Sequence, residues 1–147
     1  MFFDKEEIGS SGDTGAKSRV LEYLVTLLIE KIGEKVAPLE VLYNSKALSS
    51  DVSACDDPSY PGAFDNYNKA TIGNGVVISK YTGSGGKYDA NDASAEYVAE
   101  IMSILDKHNV IYQFGELGKV DEGGGGTIAQ YLSELGMEII YILELVY

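Results

Sequence analysis

Apolar residues recur with two different periods along this chain, and the two patterns alternate. Spacing of three and four residues, typical of amphipathic helices, occurs over 16–32 and after a cap at Asn91 or Asp92, and a further helix is expected over 127–135. Short apolar runs without that spacing lie between these segments. This alternation predicts an α/β fold, a three-layer α/β/α sandwich built on a mostly parallel sheet. The 147 residues suffice for one such domain with a hydrophobic core.

The predicted strands are short and apolar. We expect them over 39–42, 47–54, 76–81, 110–114 and 137–147, with Phe2 and Phe3 ending a further strand. Catalytic groups in open α/β sheets lie in loops at the carboxyl ends of the strands. The acidic cluster at 4–7, Lys80 and the loop at 115–127 all occupy such positions.

Charge and cysteine content narrow the classes of partner. The net charge of −12 disfavours a nucleic-acid partner, because phosphate groups would be repelled, and suits a protein that binds cations. The single cysteine, Cys55, cannot form an internal disulfide, which is typical of a reducing cytoplasm. The charged start is unlike a signal peptide, and no apolar run reaches the roughly 20 residues that span a bilayer. We therefore expect a cytoplasmic protein with no membrane partner.

Two adjacent carboxylates, Glu6 and Glu7, follow the first predicted strand. Side chains of neighbours in extended backbone point to opposite sides. One carboxylate could then hold a metal while the other takes a proton from a metal-bound water, a division suited to hydrolysis. The alternative interpretation is a solvated acidic turn, the usual fate of exposed glutamates.

Asp51 and Lys80 are further candidates, each with an ordinary alternative. Asp51 could project from a strand end as a second metal ligand, because carboxylates bind zinc, or it could be a turn residue. Lys80 ends an apolar strand and could meet a substrate carboxylate, or it could be an edge lysine that reaches for solvent.

The loop at 119–127 contains four consecutive glycines before Thr127 and a predicted helix. Free backbone N–H groups at such a position attract anions or a developing oxyanion, although the loop could also be a flexible connector.

Two other sequence features do not indicate a functional site. Residues 82–87 lack the glycine and hydroxyl positions of a phosphate loop. His108, the only histidine, lies at a predicted helix end and is interpreted as a terminal cation or a surface residue.

Together these segments resemble one family, the aspartyl aminopeptidase-type metallopeptidases, known as the eighteenth metallopeptidase family. The resemblance covers nearly the whole chain in the family's order. It rests on DKEEIGS at 4–10, SDV at 50–52, DPSYP at 57–61, KYTG at 80–83, NDASAE at 91–96, GELGKVD at 115–121 and GGGGT at 123–127. It implies an aminopeptidase with two metal ions, usually zinc, with cobalt or manganese as alternatives.

By match to the family's motifs, the resemblance implies a role for each candidate residue. Glu6 would be the general base, Glu7 a ligand of one metal and Asp51 a ligand of the other. Lys80 falls where the family places a substrate-contacting lysine. The turn formed by Gly125, Gly126 and Thr127 falls beside the substrate site. The implied substrate is a peptide with an acidic first residue, and the complete family enzyme is expected to be a homo-oligomer.

The chain also departs from the family pattern. The family's histidine ligand and bridging aspartate lie well before the double glutamate, whereas Met1 stands five residues before Glu6. The sequence diverges again after Ile140, before the position of the last histidine ligand. We therefore predict that 1–147 is a partial catalytic domain without the dimerisation domain, and that alone it has little or no activity. Two alternatives remain: a non-catalytic remnant that associates through an exposed sheet edge, and an unrelated carboxylate-rich cation binder.

Overall fold

A computed structural model describes residues 1–85, 88–119 and 121–146. The last residue of the predicted final strand, Tyr147, lies outside this part of the chain. The described elements are a 3-10 helix (Glu6–Ile8), α1 (Val20–Ile32), α2 (Pro38–Tyr43), β1 (Lys46–Ala54), β2 (Val76–Ser79), β3 (Tyr81–Ser84), β4 (Tyr88–Asp92), α3 (Ala95–Lys107), β5 (Tyr112–Phe114), α4 (Ala129–Ser133) and β6 (Glu138–Val146).

The main sheet has the strand order β1-β6-β2-β5. The pairs β1–β6 and β2–β5 are parallel, whereas β2 and β6 are antiparallel. The prediction of a mostly parallel sheet is therefore confirmed, with one antiparallel junction at its centre. Because of that junction, the carboxyl ends of β1 and β2 lie at opposite ends of the sheet. The candidate groups cannot all meet at one carboxyl edge, contrary to the expectation from a uniformly parallel sheet.

Side chains of β6 alternate between two cores, and this alternation makes the fold three-layered. Ile139, Tyr141 and Leu143 pack on one face, where α4 and Leu21 of α1 cover them. Ile140 packs on the opposite face, which α3 covers. Both faces of the central strand are therefore buried, as expected for a strand in the middle of an α/β sandwich.

The strand predicted over 39–42 is wrong, because this segment is the short helix α2. Pro38 occupies the first helical turn, where its fixed φ and missing N–H cost nothing. The Asn44 side chain donates to the Glu40 carbonyl at 2.8 Å near the other end of the helix. Leu42 is 1% exposed and is the one buried residue of this helix. Six residues are too few to establish a helical period in sequence.

The segment after β2 contains the strands β3 and β4, which pair antiparallel. The helix that follows is capped by Ser94, whose Oγ accepts from the Tyr97 N–H at 3.2 Å. The predicted caps have other partners. Buried Asn91 donates to the Ile139 carbonyl at 3.1 Å, and Asp92 forms an ion pair with Lys80. No helix in the described part of the chain is long and apolar enough to cross a membrane.

Candidate functional site

Three carboxylates border one open cleft, which we call the carboxylate cleft and define by Glu6, Glu7 and Asp51. It has a volume of about 320 Å³. Its other walls are the first three residues, part of β1 and the residue before α4: Met1, Phe2, Phe3, Leu48, Ser49, Ser50 and Ile128. The sequence-predicted base and both predicted metal ligands thus lie in one place, although their roles stay predictions.

Glu6 and Glu7 share the cleft because their backbone is helical rather than extended. Lys5 adopts a left-handed conformation with φ 65° and turns the chain into the 3-10 helix. The expectation that the two side chains leave an extended backbone on opposite sides is therefore wrong. Phe2 and Phe3 are not in a strand either, and only an isolated bridge from Asp4 to Gly15 follows them.

Asp51 reaches the cleft from within β1 and not from its end. It is the sixth of the nine strand residues and lies beside Leu143 of β6. Its Oδ1 accepts a hydrogen bond from the Val52 N–H at 2.8 Å. The other oxygen has no hydrogen-bond partner among the described residues and is available to a ligand in the cleft.

The three carboxylates of the cleft form an acidic cluster that no nearby basic side chain of the described residues neutralises. Burial raises the pKa of Glu6, and the negative charges of Asp51 and then Glu7 raise it further. Among the residues that the structure describes, no lysine or arginine lies within ion-pairing distance of the three carboxylates. A cation in the cleft would relieve this repulsion.

The end of the glycine-rich loop borders a second cleft that shares Glu6. Gly126 and Thr127 line it, and its volume is about 210 Å³. The Thr127 hydroxyl lies 3.4 Å from Ser49 Oγ and accepts from the Ala129 N–H at 3.3 Å. These contacts connect the loop both to β1 and to the start of α4. The sequence analysis did not single out the remaining polar lining residues, Ser10, Gln130 and Tyr131.

Lys80 and Gly125 lie outside these two clefts. Lys80 directly follows β2 and forms a hydrogen-bonded ion pair with Asp92 of β4. Gly125 lines a small cavity of about 30 Å³ together with Glu116 and Thr82. The structure therefore brings the predicted substrate residues to two neighbouring regions rather than to one.

Glu116 is a functional candidate that the sequence analysis missed. Burial raises the pKa of its carboxyl to about 7. A hydrogen bond from the Tyr81 backbone and the charge of Lys80 act in the opposite direction, whereas Asp92 adds to the rise. A carboxyl in the motif GELGKVD gives no sign of burial in sequence, because glutamates are usually exposed.

The Tyr141 hydroxyl is a second feature that sequence reasoning missed. Its side chain is fully buried, and neither its hydroxyl nor that of Thr82 forms a hydrogen bond of normal geometry with the described residues, although the two hydroxyls lie close to each other. Burial raises the pKa of Tyr141, and the nearby hydroxyls of Thr127 and Thr82 only reduce that rise. The run at 137–147 predicts a buried strand but does not tell which side chains lack partners.

We expect Tyr141→Phe to leave the free energy of unfolding unchanged or to raise it by about 1 kcal/mol, because the substitution removes an unsatisfied buried polar group. Tyr97→Phe is the matched control. The Tyr97 hydroxyl donates to the Ala47 carbonyl at 3.2 Å, so its loss should cost about 1 kcal/mol. Urea denaturation followed by circular dichroism measures both, and a loss from Tyr141→Phe as large as that from Tyr97→Phe would show that its hydroxyl is bonded.

The residues that the structure describes do not by themselves complete a zinc site. Carboxylate oxygens are suitable ligands, and the cleft holds three of them without a neutralising cation. Nevertheless, a catalytic zinc takes three protein ligands plus water. No group of three or more histidine, cysteine, aspartate or glutamate side chains in the described residues is arranged to hold a metal ion. His108 lies exposed after the last turn of α3, in agreement with its interpretation as a helix-terminal residue.

Comparisons with known proteins place this arrangement in a family. The family model described as aminopeptidase I zinc metalloprotease (M18) matches residues 1–143. The probable M18 family aminopeptidase 1 of Clostridium acetobutylicum is 50% identical over 142 residues, and that of Thermotoga maritima is 46% identical over 143 residues. Each match covers 95% of this chain but only 30% and 32% of the relative, so the chain spans about a third of their length.

Solved structures agree with this result. The M18 aminopeptidase crystal structure from Thermotoga maritima has a TM-score of 0.88 at 45% identity and covers 96% of this chain and 32% of its own. Aminopeptidase I from Clostridium acetobutylicum has a TM-score of 0.81 at 50% identity and covers 95% and 30%. A Saccharomyces dodecamer, at 21% identity and a TM-score of 0.73 over 97% of this chain and 30% of its own, shows the fold alone. The chain therefore belongs to the aminopeptidase I zinc metalloprotease (M18) family.

Proposed function

We propose that this chain forms the carboxylate wall of a zinc aminopeptidase site that removes N-terminal residues from peptides. Glu6 takes the proton from the attacking water, and Glu7 and Asp51 each contribute an oxygen ligand. Zinc, when bound, supplies the positive charge that such a hydrolysis needs. The remaining ligands come from the part of the family protein that this chain does not span, so this chain alone turns over peptide slowly or not at all.

One observation carries this proposal more than any other. Glu6, Glu7 and Asp51 come from two separate segments of the chain, and yet they border the same cleft and repel one another electrostatically. A structural cluster of this kind would normally be neutralised by lysine or arginine. Carboxylates beside the end of a glycine-rich loop fit a site that receives a cation and a polar substrate.

Lys80 and the loop residues Gly125, Gly126 and Thr127 form the substrate side of the proposed site. Thr127 shares a cleft with Glu6, which supports a position close to the reacting bond. Lys80 is already paired with Asp92, so it selects an acidic first residue only if substrate displaces that partner. Family resemblance also supports the proposal that the complete protein is a homo-oligomer, because the Saccharomyces relative is a dodecamer.

A chimera tests the function directly. Residues 1–142 of this chain replace the matched segment of the Clostridium acetobutylicum relative, which supplies the rest of that protein. We expect the chimera to bind zinc and to hydrolyse aminoacyl p-nitroanilides, with aspartyl, glutamyl and leucyl substrates compared. The isolated chain should bind zinc far more weakly in calorimetric titration. A chimera that folds and binds zinc but shows no turnover would contradict the proposal, as would full activity of the isolated chain.

A further inference from the structure

Lys80 and Glu116 follow two neighbouring strands at the same edge of the sheet. β2 and β5 are parallel and pair Ile78 with Phe114. Lys80 and Glu116 each come two residues later, so they lie level with each other. The register continues past the strand ends, because the Gly115 N–H donates to the Ile78 carbonyl at 3.3 Å. Neighbouring strands lie about 4.8 Å apart, which places the two residues side by side.

Several contacts hold the Glu116 carboxyl in this place. Its backbone N–H donates to the Asn68 carbonyl at 2.8 Å, and its carboxyl accepts a hydrogen bond from the Tyr81 N–H. The preceding Gly115 is closely packed, since a Cβ at that position would lie 3.0 Å from the Ala70 Cβ. The carboxyl is therefore half-buried at a fixed distance from the end of β2 and has little room to move.

Lys80 has a different ion-pair partner. Its ammonium pairs with Asp92, which ends β4 and lies opposite Tyr81 in the ladder of β3 and β4. The Ala93 N–H donates to the Lys80 carbonyl at 2.8 Å, so backbone bonds support this pairing. An ionised carboxylate at Glu116 would compete with Asp92 for the ammonium, whereas a protonated carboxyl would not. The pairing of Lys80 with Asp92 is therefore the one expected while Glu116 holds its proton.

We propose that Glu116 is a positioning residue for Lys80 and determines the selectivity for an acidic first residue. This inference rests on the proposed function, in which Lys80 meets a substrate carboxylate. With its proton, Glu116 leaves Lys80 with one counter-ion, Asp92, which an anionic side chain of the substrate displaces. Without its proton, Glu116 adds a second negative charge beside the ammonium and disfavours that exchange.

The charges around Glu116 give the sign of the effect. Lys80 and Asp92 are the described side chains whose charges act on Glu116, and Lys119 of the same loop is paired with Glu122 at 2.7 Å. The charges of Lys80 and Asp92 cancel while Glu116 is protonated, and its ionisation leaves a net negative group that repels an acidic substrate. Because the pKa of Glu116 is about 7, this change falls close to neutral pH. By linkage, an anionic substrate must in turn raise that pKa.

The pH dependence of substrate preference tests this inference in the chimera with the Clostridium acetobutylicum relative. Values of kcat/KM for aspartyl and leucyl p-nitroanilides are compared between about pH 6 and pH 8.5. We expect the aspartyl-to-leucyl ratio to fall about five- to tenfold as pH rises through 7, the size of a modest coupling between two sites. In Glu116→Gln this fall should be absent, because the amide never ionises. Glu34→Gln, the matched control at an exposed position, should show the same fall as the unsubstituted chimera.

A second measurement reports on the contact between these charges without catalysis. Carbon-13 NMR of the chain labelled at the glutamate carboxyl carbons gives the pKa of Glu116, whose resonance is identified by its loss in Glu116→Gln. Lys80→Met should raise that pKa, because it removes the neighbouring positive charge. Asp92→Asn should lower it, because it removes a negative charge and releases Lys80 to pair with Glu116.

Failure of this inference is distinguishable from failure of the proposed function. A chimera that hydrolyses both substrates in a ratio that does not change with pH, or that changes equally in Glu116→Gln, overturns this inference alone. A pKa of Glu116 that neither Lys80→Met nor Asp92→Asn shifts also overturns it. A chimera that folds and binds zinc but hydrolyses neither substrate contradicts the proposed function, and the role of Glu116 in selectivity falls with it.

Discussion

Glu6→Gln in the chimera with the Clostridium acetobutylicum relative is expected to lower kcat between roughly 10²- and 10⁴-fold, the contribution of a general base. Glutamine keeps the shape of the side chain but cannot accept a proton. Steady-state hydrolysis of aminoacyl p-nitroanilides gives kcat and KM, and zinc content is measured on the same samples. We expect KM and zinc content to change little, because Glu6 acts on the water and not as a metal ligand.

The neighbouring carboxylates make this prediction specific. Glu7→Gln and Asp51→Asn should reduce zinc content together with activity, since each removes a proposed ligand. Glu34→Gln, an exposed glutamate beyond the end of α1, is the matched control and should leave both unchanged. Loss of zinc from Glu6→Gln as large as that from Glu7→Gln would identify Glu6 as a ligand, and undiminished kcat would exclude it as the base.

The layered architecture was predictable because it depends on the periodicity of apolar residues. In β6, Ile139 and Ile140 face opposite cores, and only a strand buried on both sides tolerates such a continuous run. The antiparallel junction between β2 and β6 was not predictable, since strand direction in a sheet depends on connections that residue types do not record. The helix at Pro38–Tyr43 was missed because one buried leucine establishes no period.

The candidate site could be predicted in residue identity but not in geometry. Motif resemblance indicated Glu6, Glu7 and Asp51. They share a cleft because Lys5 is left-handed and the next residues form a 3-10 turn, and no local sequence pattern predicts that geometry. The burial of Glu116 also follows from tertiary packing alone. Nothing within its own motif distinguishes Glu116 from an exposed glutamate. In the folded structure, however, the pKa of its carboxyl is raised to about 7.

That carboxyl leads to a prediction about stability and pH. In the folded chain the pKa of Glu116 rises from 4.5 to about 7, with burial as the main cause. The folded state therefore holds its proton over a range in which the unfolded state has lost it. Stability must then fall as pH rises from 4.5 to 7, because the unfolded state binds fewer protons there. Such a shift corresponds to about 3 kcal/mol, and about 2 kcal/mol after allowance for the solvent that still reaches the side chain.

Glu116→Gln should remove this penalty, because the amide keeps the size of the side chain and carries no charge at any pH. At pH 8 we expect the free energy of unfolding of the variant to be about 2 kcal/mol higher than that of the unsubstituted chain. At pH 4 we expect the two free energies of unfolding to be nearly equal. Urea denaturation at several pH values between 4 and 8 measures the difference, and Glu34→Gln serves as the control for loss of an exposed charge. A difference that stays constant with pH would mean that Glu116 ionises normally in the folded chain. In that case neighbouring Lys80 compensates the buried charge more effectively than Asp92 and burial oppose it.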